Sequence, residues 1–340
     1  MHCFIKHAGL IAFAVAAAVL PPEKANAQDF KGKQIRLLIG APPGGGYDAY
    51  ARLLAQHMGR HVSGQPAMVV QNMPGAASIT LVNHLVSTAP KDGTVMGAVF
   101  NLVATNPLLF PAHAKYDARE LIWLGSVLRE TYVGVARGDV GVTTLADVFS
   151  REIVTAGSTG ATNSFPSFAN SVLGTRFKVI VGYPGTRDGM LAVERKEVDA
   201  LVGTTFASVQ ATAQDQLSSG AIRFFVQFGV KKHPEMPNVS WIYDFAKTAD
   251  QRAAMDLMFG AQELGRPYVL PPGVPEPVVK IMRAAFRSTV TDKTFLEDAA
   301  RRRLEIEAVA GEDIAPMIDE LYKTPPHVIA RVKEIVGDVP

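Results

Sequence analysis

Residues 34–58 constrain the fold of this chain more than any other stretch, because an apolar run leads through a glycine-rich loop into a helical pattern. Ile35, Leu37 and Ile39 belong to the run IRLLI, which is typical of a strand buried in a parallel sheet. The apolar residues of AYARLLAQHM recur at helical spacing. The loop APPGGGYD between them carries three glycines, which let the backbone approach a ligand closely. We expect strand, loop and helix, with an anion-friendly helix start, although a turn that binds nothing would share this pattern.

The N-terminal segment has the organisation of a secretory signal peptide. A short basic start precedes the apolar run GLIAFAVAAAVL, and Ala25-Asn26-Ala27 has the small-x-small form that signal peptidase cuts. The alternative is an N-terminal membrane anchor. The run argues against it, because it is shorter than the ~20 apolar residues that a transmembrane helix needs. We predict cleavage after Ala27. The one cysteine, Cys3, precedes that point, so the mature chain would have no disulfide, thiol nucleophile or cysteine metal site.

Length and charge favour two lobes and argue against nucleic acid. Removal of residues 1–27 leaves about 310 of the 340 residues, enough for two lobes. The 34 Lys and Arg nearly balance the 32 Asp and Glu. The short basic run 301–303 lies among acidic residues, which favours a solvated helix face. We therefore expect no nucleic-acid partner.

A βαβαβ pattern occurs twice along the chain. After residues 34–58, the strand AMVVQN, the helix ITLVNHLVSTA and the strand VMGAVF complete the first run. The second run consists of the strand EIVTAG, the small-residue loop GSTGATNS, the helix FPSFANSVLG, the strand FKVIVGY, the helix RDGMLAVERKE and the strand VDALVG. Ligands of doubly wound sheets bind at the carboxyl ends of strands, so the two small-residue loops are expected to meet at one cleft.

The last third of the chain carries no loop motif of its own. We expect a helix and the strand IRFFVQFG after residue 203, then an extended, proline-punctuated segment over MDLMFGAQELGRPYVLPPGVPEPVV. The segments VVKIMRAAFRSTV and EDIAPMIDELYK are typical of amphipathic helices, and we expect this end to pack on the first lobe.

Patterns of metal sites and enzymes are incomplete. His57 and His61 have a spacing that can seat zinc, but no third ligand is evident and the glutamate of HExxH is absent. GSTG lacks the spacing of a nucleophile elbow, and the first glycine loop lacks the P-loop and dinucleotide-binding patterns. We predict no metal, no cofactor and no catalytic residues. An exported α/β enzyme that acts on a small carboxylic acid remains the alternative.

Six motifs in this order resemble the periplasmic receptors of the tripartite tricarboxylate transporter family, also called Bug proteins: PPGGGYD, QNMPGA, ATNPLLF, GSTGA, VGYPGTRDGMLAV and EVDALV. The resemblance spans nearly the whole mature chain. It implies a type II periplasmic-binding-protein-like α/β fold, with two doubly wound lobes joined by a hinge around a ligand cleft. We place lobe 1 at residues 28–128 plus 261–340, lobe 2 at 129–260, and the hinge near 125–129 and 259–264.

The same resemblance implies a function. Such receptors capture a small organic acid in the cleft and deliver it to membrane permease subunits without catalysis. We expect a periplasmic monomer, and a sensory receptor of the same fold is a further alternative. Phe165 and Pro166 stand where many members carry histidine, which suggests a ligand with a less polar end, such as an aromatic or short aliphatic acid.

The resemblance also carries over candidate ligand-binding residues. Asp48 is expected to cap the first helix rather than touch the ligand. Asn101 would donate its amide, the ring of Tyr183 would line the cleft, and Asp199 would accept from a ligand hydroxyl or ammonium group; a structural role at a strand end stays open for all three. The full candidate set is Gly44, Gly45, Gly46, Tyr47, Asp48, Gly75, Ala76, Asn101, Ser158, Thr159, Gly160, Ala161, Thr162, Asn163, Tyr183 and Asp199.

Overall fold

The computed structural model describes residues 30–44, 46–157, 160–183 and 185–337. The predicted signal peptide and its cleavage point, together with Gly45, Ser158 and Thr159, lie outside the described residues. Within these ranges, no helix combines the length and apolar character that crossing a bilayer requires.

Strands and helices alternate along most of the described chain. The strands are β1 (Gln34–Ile39), β2 (Ala67–Asn72), β3 (Val95–Ala98), β4 (Ile122–Ser126), β5 (Tyr132–Arg137), β6 (Ile153–Gly157), β7 (Phe177–Val181), β8 (Ala200–Thr205), β9 (Ile222–Phe228), β10 (Ser240–Trp241), β11 (Pro267–Leu270) and β12 (Val309–Ala310). The helices are α1 (Gly46–Met58), α2 (Ile79–Ser87), α3 (Asn106–Leu109), α4 (Asp147–Ser150), α5 (Ala161–Leu173), α6 (Thr186–Glu194), α7 (Phe206–Thr212), α8 (Gln214–Ser218), α9 (Ala249–Phe259), α10 (Glu276–Val290), α11 (Lys293–Arg301), α12 (Gly311–Leu321) and α13 (Pro326–Val336).

The strands form two mixed six-stranded sheets, which confirms the predicted α/β fold of two lobes. The first sheet has the order β12-β4-β11-β3-β1-β2 and the second the order β10-β9-β5-β8-β6-β7. β1 pairs in parallel with β2 and β3, and β6 pairs in parallel with β7 and β8. β11 and β5 run antiparallel inside their sheets. The two sheets therefore share the order and direction of five strands. The sixth strand differs, because β12 pairs antiparallel with β4 whereas β10 pairs in parallel with β9.

Both faces of each sheet are covered, which explains the apolar runs in the sequence. In β1, Leu37 and Ile39 are fully buried in the core that contains α1 and α10, whereas Leu38 faces the core that contains α2 and α12. In the second lobe, Ile153 and Ala156 of β6 likewise belong to different cores. Successive side chains of a strand point to opposite faces, so a strand covered on both faces must be apolar throughout.

The chain crosses between the sheets twice, and the two crossings lie side by side. Residues 127–131 lead from β4 to β5, and residues 260–266 lead from α9 to β11. The Glu130 N–H donates to the Gln262 carbonyl at 2.9 Å, and the Gly265 N–H donates to the Leu128 carbonyl at 2.9 Å. Each crossing delivers the antiparallel strand of the sheet that it enters. The two segments that carry the chain from one sheet into the other are thus hydrogen-bonded to each other.

The segment MDLMF is helical, so the prediction of an extended chain there was wrong. It forms the end of α9, whose start has a capping box: the Thr248 hydroxyl accepts from the Gln251 N–H, and the Gln251 side chain accepts from the Thr248 N–H. The sequence T-A-D-Q at residues 248–251 contains the capping-box pattern, which predicts a helix start before this apolar run. α5 also begins at Ala161, four residues before the predicted helix.

The helices after β11 divide between the two sheets. Buried residues of α10 and α12, such as Met282 and Ile318, pack in the two cores of the first sheet. Val328 and Val332 of α13 pack instead in a core of the second sheet, together with Met255 and Leu257 of α9. The lobe boundaries given above stay a prediction.

Candidate functional site

A cavity of about 280 Å³ lies where the carboxyl ends of the parallel strands meet the crossing segments. Its first-lobe and crossing side is formed by Tyr47, Glu130 and Arg266, and Tyr132 adjoins them at the start of β5. Its second-lobe side is formed by the starts of helices α5, α6 and α7 and the end of β8: Ala161, Thr162, Thr186, Thr204, Thr205 and Ser208. The cavity therefore lies between the lobes.

Three helices of nine to thirteen residues begin at this cavity. Tyr47 is the second residue of α1, Ala161 and Thr162 are the first two of α5, and Thr186 is the first of α6. The first N–H groups of a helix have no partner within the helix, and its N-terminus carries partial positive charge. Helix starts that converge from both lobes favour a small anion in the cavity.

Gly203 lets the start of α5 approach the end of β8. Its φ is +84°, and a Cβ on it would lie 2.3 Å from the Ala161 carbonyl oxygen. Only glycine fits this combination of left-handed backbone and close approach. The VDALVG strand therefore contributes to the site through its glycine.

Arg266 and Glu130 form a buried ion pair in the cavity wall. The Arg266 Nη2 lies 2.8 Å from the Glu130 Oε1, and the two side chains are 14% and 7% exposed. The guanidinium carbon also lies 4.1 Å from the centre of the Tyr47 ring, within the range of a cation–π interaction. The Arg266 Nη1 donates to the Gly265 carbonyl at 2.6 Å, and the Arg266 backbone N–H donates to the Ser126 hydroxyl at 2.9 Å. These contacts hold the charged pair at the crossing segments.

The two tyrosines of the cavity stay protonated at neutral pH. Burial raises the pKa of Tyr47 to about 12. Burial, followed by the Glu130 carboxylate, holds the pKa of Tyr132 well above its usual range. Both hydroxyls are therefore neutral groups that can donate and accept hydrogen bonds.

Asp48 turns away from the cavity and organises the first glycine loop. Its carboxylate accepts from the Gly44 N–H at 2.9 Å, from the Arg52 Nε at 2.9 Å and from the Asn72 Nδ2 at 2.8 Å. Asn72 also donates to the Ala41 carbonyl at 2.9 Å. The donors thus differ from the first-turn N–H groups that the sequence suggested. The Gly44 N–H is used in a hydrogen bond within the protein.

Gly46, the first residue of α1, lies beside Arg266. A Cβ on Gly46 would lie 3.4 Å from the Arg266 Nη2.

Of the candidates on the QNMPGA turn and after β3, only Asn101 contacts a residue that lines the cavity. Gly75 has φ +146°, and a Cβ there would lie 2.4 Å from the Thr80 hydroxyl, while Ala76 follows in the left-handed region. Neither lines the described cavity. The Asn101 backbone N–H donates to the Tyr47 hydroxyl at 3.3 Å, so this residue positions the ring.

The second-lobe candidates separate into two groups. Ala161 and Thr162 line the cavity, and Gly160 precedes them as the N-cap with φ +82°. Asn163 is exposed, and its N–H donates to the Gly160 carbonyl. Tyr183 packs beside the small core that contains Val193, outside the cavity lining.

The structure does not bring Asp199 to the cavity. It precedes β8, whose carboxyl end is the one at the cavity, and a strand of six residues spans ~20 Å. Its carboxylate accepts from the Val154 N–H at 3.1 Å and lies 3.8 Å from the Arg137 guanidinium. Asp199 therefore has a structural role at the amino-terminal end of β8, away from the cavity.

Phe165 is a core residue, so it does not set the polarity of the cavity. It is 6% exposed and packs at 5.0 Å from the Tyr132 ring and 5.0 Å from the Phe259 ring, between ring centres. The inference of a less polar ligand end loses its basis, because the residue lies behind the cavity wall.

Sequence reasoning missed the charged pair and the hydroxyl groups of the second lobe. Glu130 and Arg266 each stand one or two residues before an apolar strand, in the segments RETYV and GRPYV, within or beside the predicted hinge. A charged residue directly before a buried strand is the sequence signal that could have identified both as residues of the site. Thr186, Thr205 and Ser208 follow predicted strands but belong to common turn-forming types.

His57 of α1 and His61, which follows α1, both contact acidic residues at or near α11. The His57 Nε2 lies 3.0 Å from the Asp298 carboxylate of α11, and the His61 Nε2 lies 3.2 Å from the Asp292 carboxylate. Over the described ranges, no group of three or more histidine, cysteine or acidic side chains is arranged to hold a metal ion.

Two α/β lobes that share the order and direction of five strands, two hydrogen-bonded crossings and an anion-friendly cavity between the lobes define a two-lobed solute-binding fold. Residues 50–333 match the model of the tripartite tricarboxylate transporter family receptor, TctC. The chain belongs to that family.

Known proteins agree with this assignment over nearly the whole chain. A UPF0065 protein in the gbd 5′ region of Cupriavidus necator is 24% identical, with 97% of this chain and 97% of that protein covered. The crystal structure of a TctC solute binding protein from Polaromonas, without ligand, has a TM-score of 0.68 at 18% identity and covers 89% of this chain and 97% of that one. An R. palustris protein solved with adipate has a TM-score of 0.59 at 16% identity and covers 90% of this chain and 99% of that one.

Proposed function

We propose that this protein is a periplasmic receptor that binds a small organic acid in the cavity between its lobes and delivers it to the permease subunits of a tripartite tricarboxylate transporter. The observation that carries the proposal is the convergence of the starts of α1, α5 and α6 on one cavity. Family membership supports the transporter partner, and the predicted signal peptide supports the periplasm. The adipate in the R. palustris structure supports the class of ligand.

Neutral donors explain how the cavity would hold a carboxylate. N–H groups at helix starts and the hydroxyls of Thr186 and Ser208 can donate without a charge of their own, and the Ser208 hydroxyl itself accepts from the Thr205 hydroxyl at 2.6 Å. Hydrogen bonds to an ionised acceptor are roughly twice as strong as those between neutral groups. A micromolar dissociation constant corresponds to ~8 kcal/mol, which several such bonds in a partly dry cavity can supply.

The paired crossings supply the hinge of this proposal. A ligand that touches both lobes favours the conformation in which they are close together. Residues 127–131 and 260–266 would absorb the rotation, because they lead the chain from the strands of one sheet into those of the other. Small-angle scattering with saturating ligand measures the closure as a smaller radius of gyration.

The function is tested with the mature protein and a panel of mono-, di- and tricarboxylates at fixed pH and salt. A ligand at 100 times its dissociation constant adds ~2.7 kcal/mol of stability, which a thermal shift detects. We expect a shift with at least one acid, recovered unchanged by mass spectrometry. Consumption of that acid would replace the receptor with the enzyme alternative.

A matched pair of helix-cap variants tests where the acid binds. Thr205 lines the cavity and is the N-cap of α7, accepting from the Ser208 N–H, while Thr248 is the N-cap of α9 and lies outside the cavity lining. Thr205→Asp preserves a capping oxygen but adds negative charge to the cavity. We expect it to weaken binding of the acid by about 100-fold or more, since like charges cost several kcal/mol. Thr248→Asp should bind as the wild type does, and equal effects of the two variants would contradict this location.

A further inference from the structure

Glu130 places a carboxylate in the wall of the cavity, and this carboxylate can accept more hydrogen bonds than it receives from the protein. Its Oε1 accepts from Arg266 at 2.8 Å, and its Oε2 has a long contact of 3.4 Å from the Tyr132 hydroxyl. An ionised carboxylate offers about four acceptor positions. A ligand group beside Glu130 therefore meets an acceptor.

The positive charge of the cavity is already matched. Among the described residues that line it, Arg266 is the single cation and Glu130 the single anion, and they pair with each other. Helix starts can hold one carboxylate by neutral donors, but a second carboxylate near the crossing segments would find no cation of its own. It would also face the Glu130 charge at low exposure to water, where repulsion is weakly screened.

We propose that Glu130 determines specificity: the receptor prefers an acid whose other polar end donates a hydrogen bond, such as an amide, a hydroxyl or an ammonium group, over an acid with a second carboxylate. This inference rests on the proposed function, because it assumes that one carboxylate binds at the helix starts. Glu130 acts by attraction for a donor and by repulsion of an anion, and repulsive elements commonly set specificity.

The test uses acids of equal length that differ only at one end. For the four-carbon chain these are succinate, its monoamide succinamate, 4-aminobutanoate and butanoate. For the six-carbon chain they are adipate, its monoamide adipamate, 6-aminohexanoate and hexanoate. Isothermal titration calorimetry at fixed pH and salt gives the dissociation constants. In the wild type we expect the monoamide or the amino acid to bind at least about 10-fold tighter than the diacid of the same length.

Two variants remove one negative charge each. Glu130→Gln keeps an oxygen that can accept from Arg266 and should shift the ratio of diacid to monoamide affinity at least about 10-fold toward the diacid. Glu152→Gln is the control, since Glu152 is exposed before β6, at the edge of the second sheet away from the cavity, where it pairs with Lys178. Its ratio should equal that of the wild type.

The outcomes separate this inference from the function on which it rests. A wild type that binds the diacid as tightly as the monoamide and amino acid overturns the inference, and so does an unchanged ratio in Glu130→Gln. If circular dichroism shows that Glu130→Gln does not fold, the order of the dissociation constants of the acids in the wild type still tests the inference. Binding of none of the eight acids, together with no thermal shift across the panel of mono-, di- and tricarboxylates, would overturn the proposed function, and the inference with it.

Discussion

The Asp48 carboxylate accepts a hydrogen bond of 2.9 Å from the Gly44 backbone N–H, across the loop that joins β1 to α1. One donor of the glycine-rich loop is therefore used inside the first lobe. Arg52 and Asn72 hold the same carboxylate, so the loop is tied to α1 and to the end of β2. The start of α1 is positioned by this network before any ligand arrives.

Asp48→Asn should destabilise the protein in a pH-dependent way. The Arg52 hydrogen bond, with help from Gly44 and Asn72, lowers the pKa of Asp48 to about 2 from its ordinary 3.8. A lowered pKa stabilises the folded state above the unfolded pKa, and this contribution is lost as the pH falls toward 2. We expect a loss of about 2 kcal/mol at pH 7 that shrinks between pH 4 and pH 2, measured by urea unfolding. Asp319→Asn, at an exposed position on α12, is the control and should change the free energy of unfolding at pH 7 by no more than about 0.5 kcal/mol.

Gly203→Ala should damage the cavity more than an equivalent change elsewhere. Gly203 and Gly220 both have positive φ, at +84° and +74°, but a Cβ at Gly203 meets the Ala161 carbonyl whereas a Cβ at Gly220 meets nothing within 4 Å. Gly220→Ala should cost about 1 kcal/mol from the backbone alone. Gly203→Ala should cost more and should also weaken ligand binding, because α5 must move. Equal losses of stability and unchanged affinity would contradict the role of this close approach.

Gln262 and Gln227 should respond in opposite directions to replacement by leucine. Both are buried, at 3% and 0% exposure. The Gln262 amide has no partner within the part of the chain that the structure describes, whereas the Gln227 amide donates to the Met236 and Val239 carbonyls and accepts from the His233 N–H. An unpaired buried amide costs roughly 1 to 3 kcal/mol. Gln262→Leu should therefore raise the melting temperature and Gln227→Leu should lower it. A lower melting temperature for Gln262→Leu would show that its amide has a partner in solution.

Val332→Ala should destabilise the second lobe, although residue 332 lies near the end of the chain. Val332 is fully buried in the core that contains α9, and removal of two methyl groups there costs roughly 2 kcal/mol. Hydrogen exchange of α9 should become faster than that of α10. Val69→Ala is the control, because Val69 is 43% exposed on β2 and the change should stay within about 0.5 kcal/mol. Faster exchange in α10 alone would place α13 with the first lobe.

Local patterns in the sequence predict much of the fold and part of the site. The strands of the two βαβαβ runs follow from apolar runs between turn signals, and the loops before α1 and α5 follow from their small residues. α9 was not predicted because the proline-rich stretch after it suggested extended chain. Glu130 and Arg266 could not be paired from the sequence, since they meet only where the two crossings run side by side. Asp199 shows the opposite error: it follows a helix and precedes a strand, so it lies at the edge of the sheet away from the cavity.

The place of β11 has a consequence for how the chain is assembled. β11 fills the gap between β3 and β4, yet residues 267–270 are synthesised after all six strands of the second sheet. The sheet that is begun first is therefore completed last, in contrast to the usual order in which N-terminal domains fold first during synthesis. Until β11 arrives, the facing edges of β3 and β4 have unpaired backbone groups. A chain of this design thus has an interval during synthesis in which its first sheet is still incomplete.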